Sequence, residues 1–430
     1  SFLPFIHSFN TNLLIYNLLG INKCFIFSSK LLGGIQIPFV FNCSIMLKKK
    51  TEIILTFLLV IFSFLVFSKN FYNEILIKYI ENKEFFKEFF PDFFSLYKGS
   101  QFLLNNKNPY EESLNLQNFP FFINPLLFYI FKYSGNFNYI TVLKFWLFFS
   151  SISFISIPLI ARKIYNLDYK VILIFLISFG GINLSVFLTG NISILLSSLF
   201  ILALYYLSKN NEFLYFFIIS LLSLIKFPYL IFFGLPLLLK KINLELFLKI
   251  VIYFLLIFIS YLIVFYLDKE LFLSWIESLK FFKSIGDNGD FGRGLFRIIN
   301  NMFPQKYSLN LFIYFSISFV LFFFYYYIFH KSKILKNKKL AIALGVIALT
   351  ACLPRLKSYN LLVVIPSIFF LINFLKFKIS SISNTYIKFA LLFLLICWTS
   401  PYAPLSLMFI LIFLFFIDLK LNFLQWKKNL

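Results

Sequence analysis

Long apolar stretches follow one another from Ile53 almost to the C-terminus, with short polar segments between them. A helix needs about 20 apolar residues to cross the hydrocarbon core of a membrane. The pattern therefore predicts an all-α polytopic membrane protein with about 10–12 transmembrane helices. The stretches 213–225 and 229–239 are short, so tilted or broken helices are expected there. The predicted spans are 52–68, 140–160, 171–188, 192–207, 213–225, 229–239, 246–266, 309–329, 340–353, 359–375, 386–398 and 402–417.

Lysine and arginine clusters fall between alternate apolar stretches, at 48–50, 162–170, 209, 240–241, 331–339, 376–378 and 420–428. Because basic loops stay on the cytoplasmic side, this alternation predicts that both termini are cytoplasmic. The opposite face then carries two large outer loops, 69–139 and 268–308. Within the first, the stretch Phe119–Phe131 is broken by prolines and is expected to be interfacial or re-entrant rather than spanning. We expect a multi-pass protein of the plasma (inner) membrane with its site on the outer face.

Composition excludes a soluble globule. The chain is 60% hydrophobic and 13% charged, with a mean hydropathy of +0.87 and 67 Phe. It has too little polar surface to cover a water-soluble fold, so lipid must be its solvent. The net charge of +23 lies in short loops, where anionic lipid headgroups are the partners, so nucleic acid is not an expected partner. Four scattered cysteines and two distant histidines predict neither a disulfide framework nor a metal site.

The domain organisation predicted from the sequence is a single transmembrane domain over residues 46–420. Met46 is the first methionine, and three lysines and an apolar run follow it closely, as at the start of an inserted N-terminal helix. Residues 1–45 contain no acidic residue and are interpreted as translation upstream of the start, with a real hairpin or anchor as the alternative. Residues 421–430 are expected to form a cytoplasmic tail.

Asp92 is the first residue on the predicted outer face with a candidate chemical role. It is the only acid between Glu88 and Glu111, and aromatic residues follow it. A carboxylate in such a setting at a membrane surface can serve as a general base. The alternative is structural, because Pro91-Asp92 could also provide the N-cap of an amphipathic helix.

Two further outer positions, Gly190-Asn191 and Lys226, stand out within apolar sequence. Glycine permits a tight hairpin and asparagine can cap the next helix, so Gly190-Asn191 can also be a simple turn. An ammonium group in an apolar context is costly, which makes Lys226 a functional candidate, with snorkelling to the interface as the alternative.

Two later outer segments supply more cations. A glycine-rich segment, 286–297, contains Arg293 and Arg297, and Arg355 and Lys357 follow another apolar stretch. Guanidinium groups recognise phosphate through paired hydrogen bonds. The segment lacks the GxxxxGK[ST] pattern and is not a P-loop. Cations at helix ends also serve as membrane anchors, so both interpretations stay open.

These residues together form a set that suits transfer of a sugar from a lipid phosphate. The acceptor hydroxyl needs a base, and the departing polyprenyl phosphate needs positive charge where its own negative charge develops. One outer carboxylate and several outer cations provide both requirements.

The same residues resemble a known family. In chain order they are Asp92 and Tyr97, Asn108-Pro109-Tyr110, Phe119-Pro120 with Asn124-Pro125, Gly190-Asn191, Lys226-Phe227-Pro228 before Lys240-Lys241, and Pro354-Arg355-Leu356-Lys357-Ser358-Tyr359. The pattern over about residues 50–375 resembles the GT87 (DUF2029) group of GT-C fold glycosyltransferases, which includes polyprenol-phosphate-mannose-dependent mannosyltransferases. The chain departs from the family pattern at Phe119-Pro120-Phe121, where members have two adjacent prolines after a tyrosine, and before Asn191, where members have Gly-Gln.

The resemblance implies a GT-C-like inverting hexosyltransferase that needs no metal or other cofactor. Its donor would be a polyprenyl-phosphate-linked sugar, with mannose expected, and its acceptor an outer-leaflet glycan or glycolipid hydroxyl. Asp92 takes the role of the catalytic base. The donor-phosphate candidates are Lys226, Arg293, Arg297, Arg355 and Lys357, and the substrate-positioning candidates are Tyr97, Asn108, Tyr110, Gly190 and Asn191. The alternatives are a flippase or transporter of lipid-linked glycans, a polymerase of cell-envelope polysaccharide, and a structural membrane protein.

Overall fold

The structure is a computed structural model, and it describes residues 90–117, 121–167, 189–285, 294–303, 306–331, 337–354 and 358–378. These residues all belong to one compact unit, and every element within them is helical. The α-helices are α1 (Pro91–Leu104), α2 (Pro109–Gln117), α3 (Pro125–Phe131), α4 (Tyr139–Tyr165), α5 (Ser193–Ser208), α6 (Glu212–Ile225), α7 (Gly234–Leu239), α8 (Leu244–Leu267), α9 (Lys269–Ile285), α10 (Leu295–Met302), α11 (Tyr307–Lys331), α12 (Lys338–Ala351) and α13 (Ile365–Lys378). In the same ranges, 3-10 helices cover Lys132–Asn136, Phe227–Phe233 and Ser358–Val363.

Three of the described helices, α4, α8 and α11, are long and apolar enough to cross a membrane. They coincide with the predicted spans 140–160, 246–266 and 309–329. Exposed Phe, Leu and Ile side chains cover most of α8 and α11, as expected for helices that face lipid. The described chain is therefore all-helical and carries membrane-compatible helices, as predicted. The specific GT-C arrangement stays a prediction.

Other predicted spans are also helical, but shorter. Helices α5, α6 and α12 begin and end within two residues of the predictions 192–207, 213–225 and 340–353. The prediction 229–239 is confirmed as a broken helix, since the chain forms a 3-10 helix up to Phe233 and then the short α7. The predicted span 359–375 began too early, because residues 358–363 form a 3-10 helix and α13 begins at Ile365. Pro366 lies in the first turn of α13, where its missing N–H costs no helical hydrogen bond. Residues 1–45, the spans 52–68, 171–188, 386–398 and 402–417, and the tail 421–430 lie outside the described residues.

The centre of the described bundle is the antiparallel hairpin of α5 and α6. Phe200 of α5 lies with its ring centroid 4.3 Å from that of Phe232 in the following 3-10 helix, and both side chains are buried. Tyr215 on α6 is also fully buried, and its hydroxyl donates to the carbonyl of Phe232 at 2.6 Å. Helix α12 is buried over nearly its whole length beside this core, and its four Ala residues and Gly345 allow that close packing.

The described part of the first predicted outer loop folds into a small helical unit of α1, α2 and α3. Its apolar side chains form a second core, which extends onto the start of α4 through Leu143 and Trp146. Gly99 on α1 lies against the buried ring of Phe128 on α3, and a Cβ at residue 99 would come within 2.6 Å of the Phe128 Cζ atom. Only glycine lets the two helices approach this closely. Helix α3 has seven residues, consistent with the prediction that this stretch does not span a membrane.

The α5–α6 hairpin separates two polar clusters. Asn191 precedes α5 and Lys226 follows α6, so both lie at one end of the hairpin, whereas Asn210 and Glu212 lie at the other. With a rise of about 1.5 Å per residue, helices of this length keep the two ends roughly 21–24 Å apart. The helical unit of α1 to α3 contacts the Asn191 end, the end predicted to face outward.

Candidate active site

The turn at Gly190, just before α5, lies closely against α1. Its φ of 64° is in the left-handed region, which favours glycine. A Cβ on this residue would also come within 2.7 Å of the Phe93 Cβ and 3.4 Å of the Phe90 Cβ. The absent side chain therefore allows both the turn and its close approach to the first turn of α1, where Asp92 lies.

Asn191 connects Asp92 to the start of α5. Its Nδ2 donates to Asp92 Oδ2 at 2.6 Å, and its Oδ1 accepts hydrogen bonds from the Ser193 backbone N–H at 2.8 Å and the Ser193 Oγ at 2.5 Å. One amide group thus binds both the first residue of α5 and a carboxylate 99 residues away in the chain. Ile192, not Asn191, occupies the N-cap position of α5, so the predicted capping role of Asn191 was one residue too early, and its predicted site role stays a prediction.

Lys226 reaches the same point from the end of α6. Its backbone is extended, with φ −133°, where the helix stops. The half-buried side chain donates from Nζ to Asn191 Oδ1 at 3.2 Å and to Ser193 Oγ at 2.5 Å. These contacts hold its ammonium group against the turn before α5, and the choice between a functional lysine and one that snorkels to the interface stays a prediction.

Asp92 itself is exposed and lies in the first turn of α1. Phe90 occupies the N-cap position of that helix, with φ 64° and no side-chain capping bond. The N-cap interpretation of Asp92 was therefore wrong. The carboxylate is still favoured by the positive end of the α1 dipole, and its exposure leaves it accessible to a second molecule.

A second group of hydrogen bonds fixes the end of α6 two residues before Lys226. Asn124 Nδ2 donates to the Leu224 carbonyl at 2.8 Å and to the Tyr261 hydroxyl at 2.9 Å. The Tyr261 hydroxyl donates to the same Leu224 carbonyl at 3.0 Å. The outer helical unit and α8 are thus tied to the helix end that carries Lys226.

Sequence reasoning missed Ser193 and Tyr261, and it named Asn124 only as part of the family pattern, without a role. Ser193 had a local signal, because it lies two residues after Asn191, at the spacing of a short asparagine-serine turn. Asn124 had a weaker one, since asparagine before Pro125 is typical of a helix start. Tyr261 had none, because it is one of many aromatic residues in an apolar helix.

The other substrate-positioning candidates, Tyr97, Asn108 and Tyr110, have hydrogen-bond partners in the first predicted outer loop or on α9. The Tyr97 hydroxyl donates to the Phe137 carbonyl at 2.8 Å, and the Tyr110 hydroxyl donates to the Ile123 carbonyl at 2.7 Å. Burial raises the pKa of both tyrosines, so both hydroxyls stay protonated as donors. Asn108 caps the start of α2 through the Tyr110 backbone N–H and donates to Ser274 on α9 at 2.8 Å. These contacts are structural, and a role in substrate binding stays a prediction for all three.

The arginine candidates are described only in part. Arg297 lies half-buried in the first turn of α10, whereas Arg293, Arg355 and Lys357 lie outside the described residues. The start of α10 packs on the end of α12, since a Cβ on Gly294 would run into the carbonyls of Leu353 and Pro354. The Tyr314 hydroxyl on α11 supports that junction by donating to the Cys352 carbonyl at 2.6 Å.

Among the described residues, no three His, Cys, Asp or Glu side chains come together in a way that could hold a metal ion. The cluster at Asn191 presents a carboxylate and an ammonium group joined through one amide. Comparison of the chain with protein-family models, curated proteins and solved structures finds no match.

Proposed function

We propose that the protein is a membrane hexosyltransferase of GT-C type. It would transfer a sugar, mannose by family resemblance, from a polyprenyl-phosphate donor to a hydroxyl of a glycan or glycolipid in the outer leaflet. One observation supports this above the others: Asp92 and Lys226, chosen separately from the sequence, meet on the same amide group of Asn191.

The proposed reaction uses the two charges in different ways. The acceptor hydroxyl loses its proton to Asp92 as its oxygen forms a bond to C1 of the donor sugar. The bond from C1 to the phosphate oxygen breaks, and its electron pair leaves with the polyprenyl phosphate. Lys226 would stabilise that developing negative charge, and Arg297 is a further candidate. Attack opposite the leaving group inverts the configuration at C1.

The Asn191 bridge gives this mechanism a physical basis. The carboxylate receives a hydrogen bond at Oδ2 from a donor whose own position is set by α5. The ammonium group of Lys226 is held by the turn before α5, through Asn191 and Ser193. A base and a cation positioned before substrate arrives lose little freedom during reaction, and such preorganisation supplies much of the rate of an enzyme.

The substitution Asp92→Asn tests the proposal. Asparagine keeps the size of the side chain but cannot accept the acceptor proton, so we expect turnover to fall by at least about 10²-fold. Transfer is measured in membranes supplied with a polyprenyl-phosphate mannose. Glu277→Gln is the matched control, since it removes an exposed carboxylate of the second predicted outer loop and should leave transfer unchanged. Near-normal transfer by Asp92→Asn, with insertion intact, would exclude Asp92 as the base.

A further inference from the structure

A second charged cluster lies at the opposite end of the α5–α6 hairpin, the end predicted to face the cytoplasm. Glu212 is its centre, and its side chain is only 12% exposed. Lys240, which follows α7, pairs with Glu212 Oε1, and Lys249 on α8 lies 3.2 Å from Glu212 Oε2. Lys249 also pairs with Glu245 at 2.5 Å. One largely buried carboxylate therefore holds two lysines from different elements in place.

A third lysine joins the cluster from α12. Lys338 donates to the Asn210 side chain at the end of α5. Burial and the neighbouring charge of Lys240 lower the pKa of Lys338, and Glu212 only partly offsets them. Lys240 and Lys338 therefore lie at the same end of the hairpin, since their partners Glu212 and Asn210 are two residues apart.

The surrounding chain adds cations rather than acids. The three lysines of the cluster face two carboxylates, Glu212 and Glu245, and leave one excess positive charge. The sequence from Lys331 to Lys339 contains five lysines and no acid, and Lys241 adds another cation beside Lys240. This end of the hairpin is therefore positively charged, and an anion would complement it.

Exposed apolar side chains lie on the same helices as these charged residues, at the starts of α6 and α8. Phe213, the next residue after Glu212, is 69% exposed, and Leu244 and Phe247 at the start of α8 are 72% and 54% exposed. Helices α6 and α8 are neighbours there, because the Phe213 and Tyr253 rings lie 6.5 Å apart. The surface therefore combines basic side chains with an apolar strip. These two features complement the phosphate of a phospholipid headgroup and its acyl chains.

We propose that the surface formed by Lys240, Lys249, Lys338, Phe213, Leu244 and Phe247 is a binding site for one anionic phospholipid. The lysines bind the headgroup phosphate, and the apolar side chains contact the acyl chains. The site uses none of the residues assigned to sugar transfer, so it stands or falls independently of the proposed function.

Lipid binding is measured on the full-length protein in zwitterionic detergent, by native mass spectrometry of retained lipid and by thermal unfolding with added lipid. We expect phosphatidylglycerol to be retained and to stabilise the protein more than phosphatidylcholine. Lys338→Gln leaves both ion pairs of Glu212 intact and should lower phosphatidylglycerol affinity by about fivefold, the usual effect of one lysine near an anionic surface. Lys240→Gln combined with Lys338→Gln should lower it further.

Lys163→Gln is the matched control, because it removes an exposed lysine at the predicted cytoplasmic end of α4 without touching the cluster. It should leave lipid affinity unchanged. Equal retention of phosphatidylcholine, equal loss in the Lys163 variant, or unchanged affinity in the Lys338 variant would each overturn the proposal. Equal stabilisation by inorganic phosphate would also overturn it, since the apolar strip would then contribute nothing.

Discussion

Asn191 shows how much of the candidate site depends on one side chain. Its amide carries a donor and an acceptor, and the structure uses both: Nδ2 donates to Asp92 while Oδ1 accepts from Ser193 and Lys226. Serine or aspartate could accept from the Ser193 backbone N–H equally well. Neither could both bridge to the carboxylate and accept from the lysine at this length and geometry, so the bridge explains why asparagine stands here.

The substitution Asn191→Asp separates the two roles. Aspartate keeps an acceptor for the Ser193 backbone N–H but places a carboxylate against Asp92, so the Asp92 side chain should be displaced and transfer should fall by at least tenfold, roughly 1.4 kcal/mol. Transfer and thermal unfolding are measured together, and unfolding should change little. Asn138→Asp is the matched control, since Asn138 caps α4 through the Ile140 backbone N–H at 3.0 Å. Equal losses of transfer in both variants would mean that Asn191 only supports the start of α5.

Gly190 provides a second test at the residue scale. Alanine there must adopt a left-handed backbone, at about 1–2 kcal/mol, and its Cβ would press on Phe93. We expect Gly190→Ala to destabilise the protein by about 2 kcal/mol or more in thermal unfolding. Gly190→Asn distinguishes the two causes, because asparagine tolerates this backbone but still carries a Cβ. Full rescue by asparagine would show that the contact with Phe93 is unimportant.

At the scale of elements, the break between α6 and α7 positions Lys226. Pro228 lies in the first turn of the 3-10 helix, and Pro236 lies within α7. Proline lacks the N–H that a continuous helix would use, so two short elements replace one long one. Lys226 lies at the start of that break with an extended backbone. Its side chain therefore points towards the turn before α5 rather than along a helix.

The contact between α1 and α3 predicts a further effect. Gly99→Ala would force the Phe128 ring out of its buried position, and overpacking of this kind costs about 1–3 kcal/mol. Thermal unfolding of the variant should show that loss. In the double variant Gly99→Ala with Phe128→Leu, the smaller side chain makes room for the added methyl group, so the two effects should not add. Strict additivity would contradict the packing described for this unit.

At the scale of the whole molecule, the orientation in the membrane is a prediction that cysteine labelling can check. A cysteine replacing Tyr133, which is 72% exposed beside the predicted outer face, should react with an impermeant thiol reagent from outside. A cysteine replacing Lys241 at the other end of the bundle should react only after the membrane is opened. The native Cys352 is buried and can stay, while the other three cysteines are replaced by serine. The reverse labelling pattern would put the Asp92 cluster on the cytoplasmic side.

Much of the element layout could be read from the sequence. Helices α4, α5, α6, α8, α11 and α12 lie where apolar stretches of the corresponding length occur. Apolar length and the spacing of basic residues are local properties, so a window of about 20 residues contains the needed information. The starts of several helices are also marked locally. Asn138, Asn211, Asn243 and Asn337 are each the N-cap residue of the helix that follows directly, and each accepts a hydrogen bond from a backbone N–H in its first turn.

The sequence alone determined that the chain is helical and suited to lipid, and it singled out Asp92, Asn191 and Lys226 as separate candidates. Only the tertiary structure decided that these three meet. Asp92 lies 99 positions before Asn191 and Lys226 lies 35 positions after it, and they come together because α1 packs on the turn before α5. It also decided that Tyr97 and Tyr110 hydrogen-bond within their own helical unit and that Ser193 completes the cluster. Local hydropathy carries no information about such long-range contacts, which depend on how whole helices fit against one another.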